Sequence, residues 1–152
     1  FEKPKIIIPA IANSASYTFD IESYYSNDKT SIIPINDLYL LGLLNSKLLD
    51  YFIKSIASTK QGGYYEYKPM YLSKIPIKIM DKTIDIEVHQ HSTIELLVKQ
   101  ILGLNTELRS CKLPDKIEQI KAHIQHDENR INEIVYQIYE LTKEEIAIIE
   151  SK

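Results

Sequence analysis

The sequence is poor in cysteine and glycine, and it has no long apolar run. One cysteine, Cys111, in 152 residues leaves no partner for an internal disulfide, which fits a reducing, cytoplasmic setting. It also makes a cysteine-based zinc site untenable. No apolar run approaches the ~20 residues that a membrane span requires, and no secretory signal is visible. Four glycines, none in a Gly-x-Gly pattern, provide neither a methylase cofactor loop nor a phosphate loop with its lysine. Six prolines occur singly, so no Asn-Pro-Pro-Tyr loop exists to grip an extruded base. No serine, histidine and acid can be singled out as a triad. The chain is therefore expected to catalyse nothing by itself. It opens at Phe1 and runs straight into an apolar, strand-like segment, so it reads as a piece of a longer protein.

Three fragments of catalytic or metal-binding pattern remain. Glu66-Tyr67-Lys68 matches the Glu-x-Lys of magnesium-dependent nucleases. That chemistry needs a second carboxylate on a neighbouring strand, and the nearest upstream acid, Asp50, falls inside an apparent helix. His89-x-His91 and the pair His123 and His126 have ligand-like spacing. No cysteine or carboxylate pattern completes either pair, so all four read as surface histidines and no metal site is expected. Cys111 reads as a small core residue.

The net charge of −3 argues against a polyanion ligand, but its distribution does not. Residues 1–88 carry ten lysines and ten acids, whereas residues 89–152 carry eight bases and eleven acids. Between Lys47 and Lys78 six lysines face only Asp50 and Glu66, a local excess of +4. Nine of eleven tyrosines lie at or before Tyr71, so the basic and aromatic stretches overlap.

Periodicity predicts an α+β chain in two parts: a mixed α/β domain over 1–88, then a helical hairpin with a short terminal helix over 89–152. Lys5–Ile8 reads as a buried strand ended by Pro9. Ala12–Ser16 reads as a loop and Tyr17–Ile21 as a strand. Asn27-Asp28-Lys29 reads as a turn, with Thr30–Ile33 returning. Asn36 or Asp37 caps a helix over Leu38–Leu44, and Ser46 caps another over Lys47–Ala57. Ser58–Gly63 is a loop. Ile75, Ile77 and Ile79 alternate before a hairpin turn at Asp81-Lys82. Ser92-Thr93-Ile94-Glu95 is a capping box that opens a long helix. Its apolar residues, Ile94, Leu97, Ile101, Leu104, Leu108 and Cys111, have coiled-coil spacing. Leu113-Pro114-Asp115 starts a second long helix, with Ile117, Ile124, Ile131 and Ile138 at heptad spacing and Asp127 as the exception. So short a connection predicts an antiparallel pair. The second helix outruns the first, which sends Tyr136 and Tyr139 onto the mixed domain. Thr142–Glu145 is a further capping box.

The richest stretch is Thr59–Lys68. Lysines neutralise phosphates, glutamine can read adenine through two hydrogen bonds, and paired glycines admit close backbone approach. Lys60, Gln61, Tyr64, Tyr65 and Lys68 are therefore candidate DNA contacts, joined by Lys47 and Lys54. Asn13, Ser14 and Ser16 form a second candidate loop. A glycine hairpin with half-buried tyrosines is the alternative reading.

Lys3-Pro4-Lys5-Ile6-Ile7, Leu43-Leu44-Asn45-Ser46-Lys47-Leu48, Gly62-Gly63-Tyr64 and Tyr71–Ile77 occur in an order that resembles the TaqI-like C-terminal specificity domain. The closing run Ile134–Ile146 resembles the same proteins, and Ile-Pro-Ile before long helices is also similar to half of a type I specificity subunit. The resemblance implies a target-recognition module that reads double-stranded DNA in the major groove. It implies a parent restriction-modification protein whose adenine-N6 methyltransferase domain uses S-adenosylmethionine, with magnesium if it also cleaves. It assigns no base-reading residue here, and Asn45 and Ser46 are expected to be structural. The alternative function is a docking module, in which the hairpin engages the methyltransferase domain or a second copy and leaves Ile117, Ile124 and Ile131 uncovered.

Overall fold

The computed structural model describes residues 3–23 and 29–152. The turn expected at Asn27-Asp28-Lys29 falls, except for Lys29, outside the described residues. The remainder is α+β, with two small antiparallel sheets and six helices.

The most apolar strand, β1 (Lys5–Pro9), lies at the centre of the first sheet, between β3 (Thr18–Asp20) and β4 (Thr30–Ile33). Ile6 and Ile8 alternate into the core and are fully buried. The return of β4 is not onto β3 as its sequence position suggests. It pairs with β1 through Ile7 and Ile32, because the central place buries both faces of the apolar strand. Lys5 sits opposite Asp20 on β3, and the two form a buried ion pair. A charge taken so far from water is tolerable only when paired. The second sheet has the order β2 (Ile11–Ala12), β6 (Tyr64–Glu66), β5 (Thr59–Lys60). Ala12, Thr59 and Lys60, expected in loops, are therefore strand residues.

The helix caps follow the sequence closely. Asp37 accepts the Leu40 N–H at the start of α1 (Leu38–Leu44), and Ser46 accepts the Leu49 N–H at the start of α2 (Lys47–Ile56). A single turn, α3 (Pro69–Leu72), follows β6. Residues 75–84 form no strand, so the alternation of Ile75, Ile77 and Ile79 marks only falling burial. Asp81 does make a turn, accepting the Thr83 N–H at 2.8 Å, but no hairpin surrounds it.

The long helix α4 (Asp85–Ser110) starts well before the capping box expected to open it. Asp85 and Glu87 suit the positive end of the helix, and Glu87 accepts the Asp81 N–H at 2.6 Å. Ser92 and Glu95 lie inside the helix, where Thr93 bonds back to the His89 carbonyl. The helix α5 (Pro114–Ile138) returns antiparallel, and α6 (Lys143–Glu150) carries the full capping box of Thr142 and Glu145. Cys111 is half-buried at the end of α4, in the turn, and is not a core residue.

The two parts share one core. Leu41, Leu43, Leu49 and Ile53 pack with Ile94, Leu97, Val98, Ile131 and Val135. Gly42 lets α1 and α4 approach: a Cβ there would lie 2.6 Å from Cγ2 of Ile94. Beyond Ile131 the buried face of α5 passes to Asn132, Val135 and Tyr136, away from the heptad positions. This end of α5 packs on α2 as well as on α4, and the Tyr136 hydroxyl donates to Glu150 of α6 at 2.6 Å. Asn132 accepts the Lys47 N–H at 2.9 Å, so the hairpin itself completes the start of α2. Tyr139 receives the Lys78 N–H and donates to the Pro76 carbonyl.

Candidate nucleic-acid interface

Strands β5 and β6 form a hairpin whose last pair is Lys60 and Tyr64. The three-residue tip, Gln61 to Gly63, has Gly62 at φ 85° and Gly63 at φ 80°, where any side chain would be strained. Gln61 is exposed, and Tyr64 is 44% exposed beside it. Strand β2 runs along the other edge of β6, with Ala12 opposite Tyr65. The chain leaves β2 at the end of the sheet where the hairpin tip projects. Asn13 therefore emerges at the tip end of the sheet, and Ser14 and Ser16, also exposed, follow it along a cleft toward the helices. The two candidate loops, forty-odd residues apart in sequence, share one end of one sheet.

The lysines are arranged differently from expectation. Lys60 and Lys68 both turn to the buried Glu66, at 2.7 and 3.1 Å. Lys54 pairs with Asp50 at 3.0 Å, and Lys47 with Glu150 at 2.7 Å. Lys78 lies 3.7 Å from Glu87. The excess of +4 over Lys47–Lys78 is therefore reduced in the fold, because Glu87 of α4 and Glu150 of α6 join its lysines. Lys47 reaches Glu150 of α6 and also lines the cleft that Ser14 and Ser16 border.

This pairing bears on the nuclease pattern too. The bonds from Lys60 and Lys68 hold the Glu66 carboxyl below the usual carboxylate range. Asp50 accepts from the Ala15 N–H at 3.1 Å and the Tyr67 hydroxyl at 2.7 Å. Among the described residues no group of three or more His, Cys, Asp or Glu is placed to hold a metal ion. His91 pairs with Glu95 and stacks on Tyr39, while His123 and His126 flank Asp127.

Two structural contacts were not legible in the sequence. Asn45 clamps the backbone of Tyr17 from both sides, accepting its N–H and donating to its carbonyl, each at 2.9 Å. Asp50, considered only as a nuclease acid, anchors the loop at Ala15. Their helical context hid them, since nothing local in a helix start announces a tertiary partner. Beside this clamp a cleft of about 540 Å³ runs between the loop, the α1–α2 junction and the α4–α5 hairpin. No helix among the described residues is long and apolar enough to cross a membrane.

No protein of curated function matches the sequence. Among solved structures, the fold is similar to part of the type IIL restriction-modification enzyme MmeI, solved in complex with DNA. The TM-score is 0.74 at 17% identity, over 97% of this chain and 20% of that one. This chain thus spans about a fifth of that protein's length. The family profile of the TaqI-like C-terminal specificity domain matches residues 1–77, which contain both loops, the clamp and the paired lysines up to Lys68. With half the chain so matched, and both sheets within the match, the chain belongs to the TaqI-like C-terminal specificity domain family.

Proposed function

We propose that this chain is the target-recognition module of a restriction-modification protein. It binds double-stranded DNA by sequence and positions an adenine-N6 methyltransferase domain of the same parent chain. The observation that carries the reading is the convergence of two exposed polar loops at one sheet end. Both loops rise from a packed core, which suits base reading, where side chains must meet base edges in fixed register. The DNA in the structure of the similar MmeI enzyme supports the same ligand. S-adenosylmethionine and magnesium belong, in this reading, to other parts of the parent. The lone Cys111, a free thiol, suits a cytoplasmic protein.

The test is titration of mixed-sequence duplex DNA at low and moderate salt, with Gln61→Ala/Tyr64→Ala in parallel. Reversing Lys60 and Lys68 would be a poor probe, because it would crowd two further carboxylates against Glu66. Binding is expected to weaken with salt, with a shallow slope of about 1–3 released counterions, because the lysines are already paired. The double variant is expected to bind at least about tenfold more weakly, in line with the loss of one or two base contacts. Equal binding by the double variant would count against the tip.

A second reading, a docking role for the hairpin on the methyltransferase domain or a second copy, is favoured by the exposed Leu96 and Leu113. Ile131 is buried and Ile117 and Ile124 are half-buried, so the uncovered stripe which that reading requires is partly closed. A folded chain that binds no DNA at low salt but associates with a methyltransferase domain would favour it.

A further inference from the structure

We propose that Asp50 is a positioning residue, which fixes the loop Asn13 to Ser16 as a second base-reading element beside the β5–β6 tip. The inference rests on the target-recognition reading and adds to it the residue that sets the loop's geometry. The loop has exposed polar side chains at Asn13, Ser14 and Ser16, but its backbone is restrained at Ala15 and at Tyr17. One Asp50 oxygen accepts the Ala15 N–H at 3.1 Å and the Tyr67 hydroxyl at 2.7 Å. Its other oxygen holds Lys54 at 3.0 Å, and the Lys54 ammonium lies 5.4 Å from the centre of the Tyr65 ring. Asn45 then closes on Tyr17, whose ring meets that of Tyr67 edge to face at 5.9 Å. A single carboxylate thus ties the loop to α2 and to Tyr67, which directly follows the strand that carries the hairpin tip. The backbone is ordered before any ligand arrives, so the ordering entropy is not charged against binding. Two loops held to one node also keep a fixed spacing, which a reader of adjacent base pairs requires.

The test is selection from a pool of duplexes with a randomised core, followed by sequencing of the bound fraction. The unaltered chain is expected to enrich a site with two groups of constrained base pairs. Asn13→Ala/Ser16→Ala, a surface change that leaves the core untouched, identifies the group read by the loop. Asp50→Ala is expected to relax that same group by about tenfold and leave the other group standing. Asp50→Asn, which keeps the shared oxygen as an acceptor, is expected to restore the preference. Amide exchange at Ala15 should quicken in Asp50→Ala and not in Asp50→Asn. The proposal is overturned if Asn13→Ala/Ser16→Ala changes no base preference, or if Asp50→Ala weakens every position alike. Enrichment of no sequence by the unaltered chain overturns the target-recognition reading itself.

Discussion

Glu66 shows how far a single residue's role depends on what folds around it. In sequence it is half of a Glu-x-Lys pattern next to a basic run. In the fold it is a buried acceptor between Lys60 and Lys68, and hydrogen bonds from both hold its carboxyl below its ordinary value near 4.5. A lowered value means that the folded state favours the charged form. The stabilisation is complete above about pH 4.5 and is lost as pH falls through the lowered value. An NMR titration of the side-chain carboxyl carbon should place Glu66 below the other glutamates that face solvent. A midpoint at or above the ordinary value would contradict the pairing. The candidate contacts Gln61 and Tyr64 were legible because their tip is built from local chemistry, two glycines after a polar residue. The pairing of Lys47 was not, because Glu150 comes from the far end of the chain.

At the scale of elements, the chain's local signals were followed wherever the ends of a helix are set by neighbouring residues. Asp37, Ser46 and Thr142 all cap as their spacing predicts. The start of α4 was misread because the box at Ser92–Glu95 is only a pattern, whereas Asp81, Asp85 and Glu87 build the real start. The end of α5 offers a prediction. Glu140 follows the cap with φ 54°, a left-handed conformation, while Leu141 donates back to the Tyr136 carbonyl at 3.0 Å. Glycine adopts that conformation without strain, so Glu140→Gly should stabilise the fold by about 1 kcal/mol in a denaturant titration. A loss of stability would show that the side chain has a role beyond the cap. Asp127 offers another. It interrupts the heptads, is buried, and one of its oxygens has no hydrogen-bond partner. His123 and His126 approach it only at 3.6 and 3.4 Å, from exposed positions. Asp127→Leu should raise stability by about 1–3 kcal/mol, measured by thermal unfolding. A lower melting temperature would mean that the carboxylate is satisfied in solution.

For the whole molecule, the α+β class and the order of helices follow from periodicity, because each amphipathic stripe needs a partner and short connections leave few choices. What the sequence did not reveal is the β3-β1-β4 order, the joining of β2 to β6, and the single core shared by the sheets and the hairpin. Those are consequences of pairing between residues far apart in the chain. They also determine the candidate interface, since β2 and β6 bring the two loops to one end of a sheet. The most direct measurement is a backbone amide NMR spectrum of the labelled chain as mixed-sequence duplex DNA is added at low salt. Recognition through the sheet end predicts that the largest shifts fall on Asn13 to Ser16 and Gln61 to Tyr64. Little change is then expected at the Cys111–Leu113 turn of the hairpin. Shifts confined to α4 and α5, or none at all from a folded chain, would contradict it.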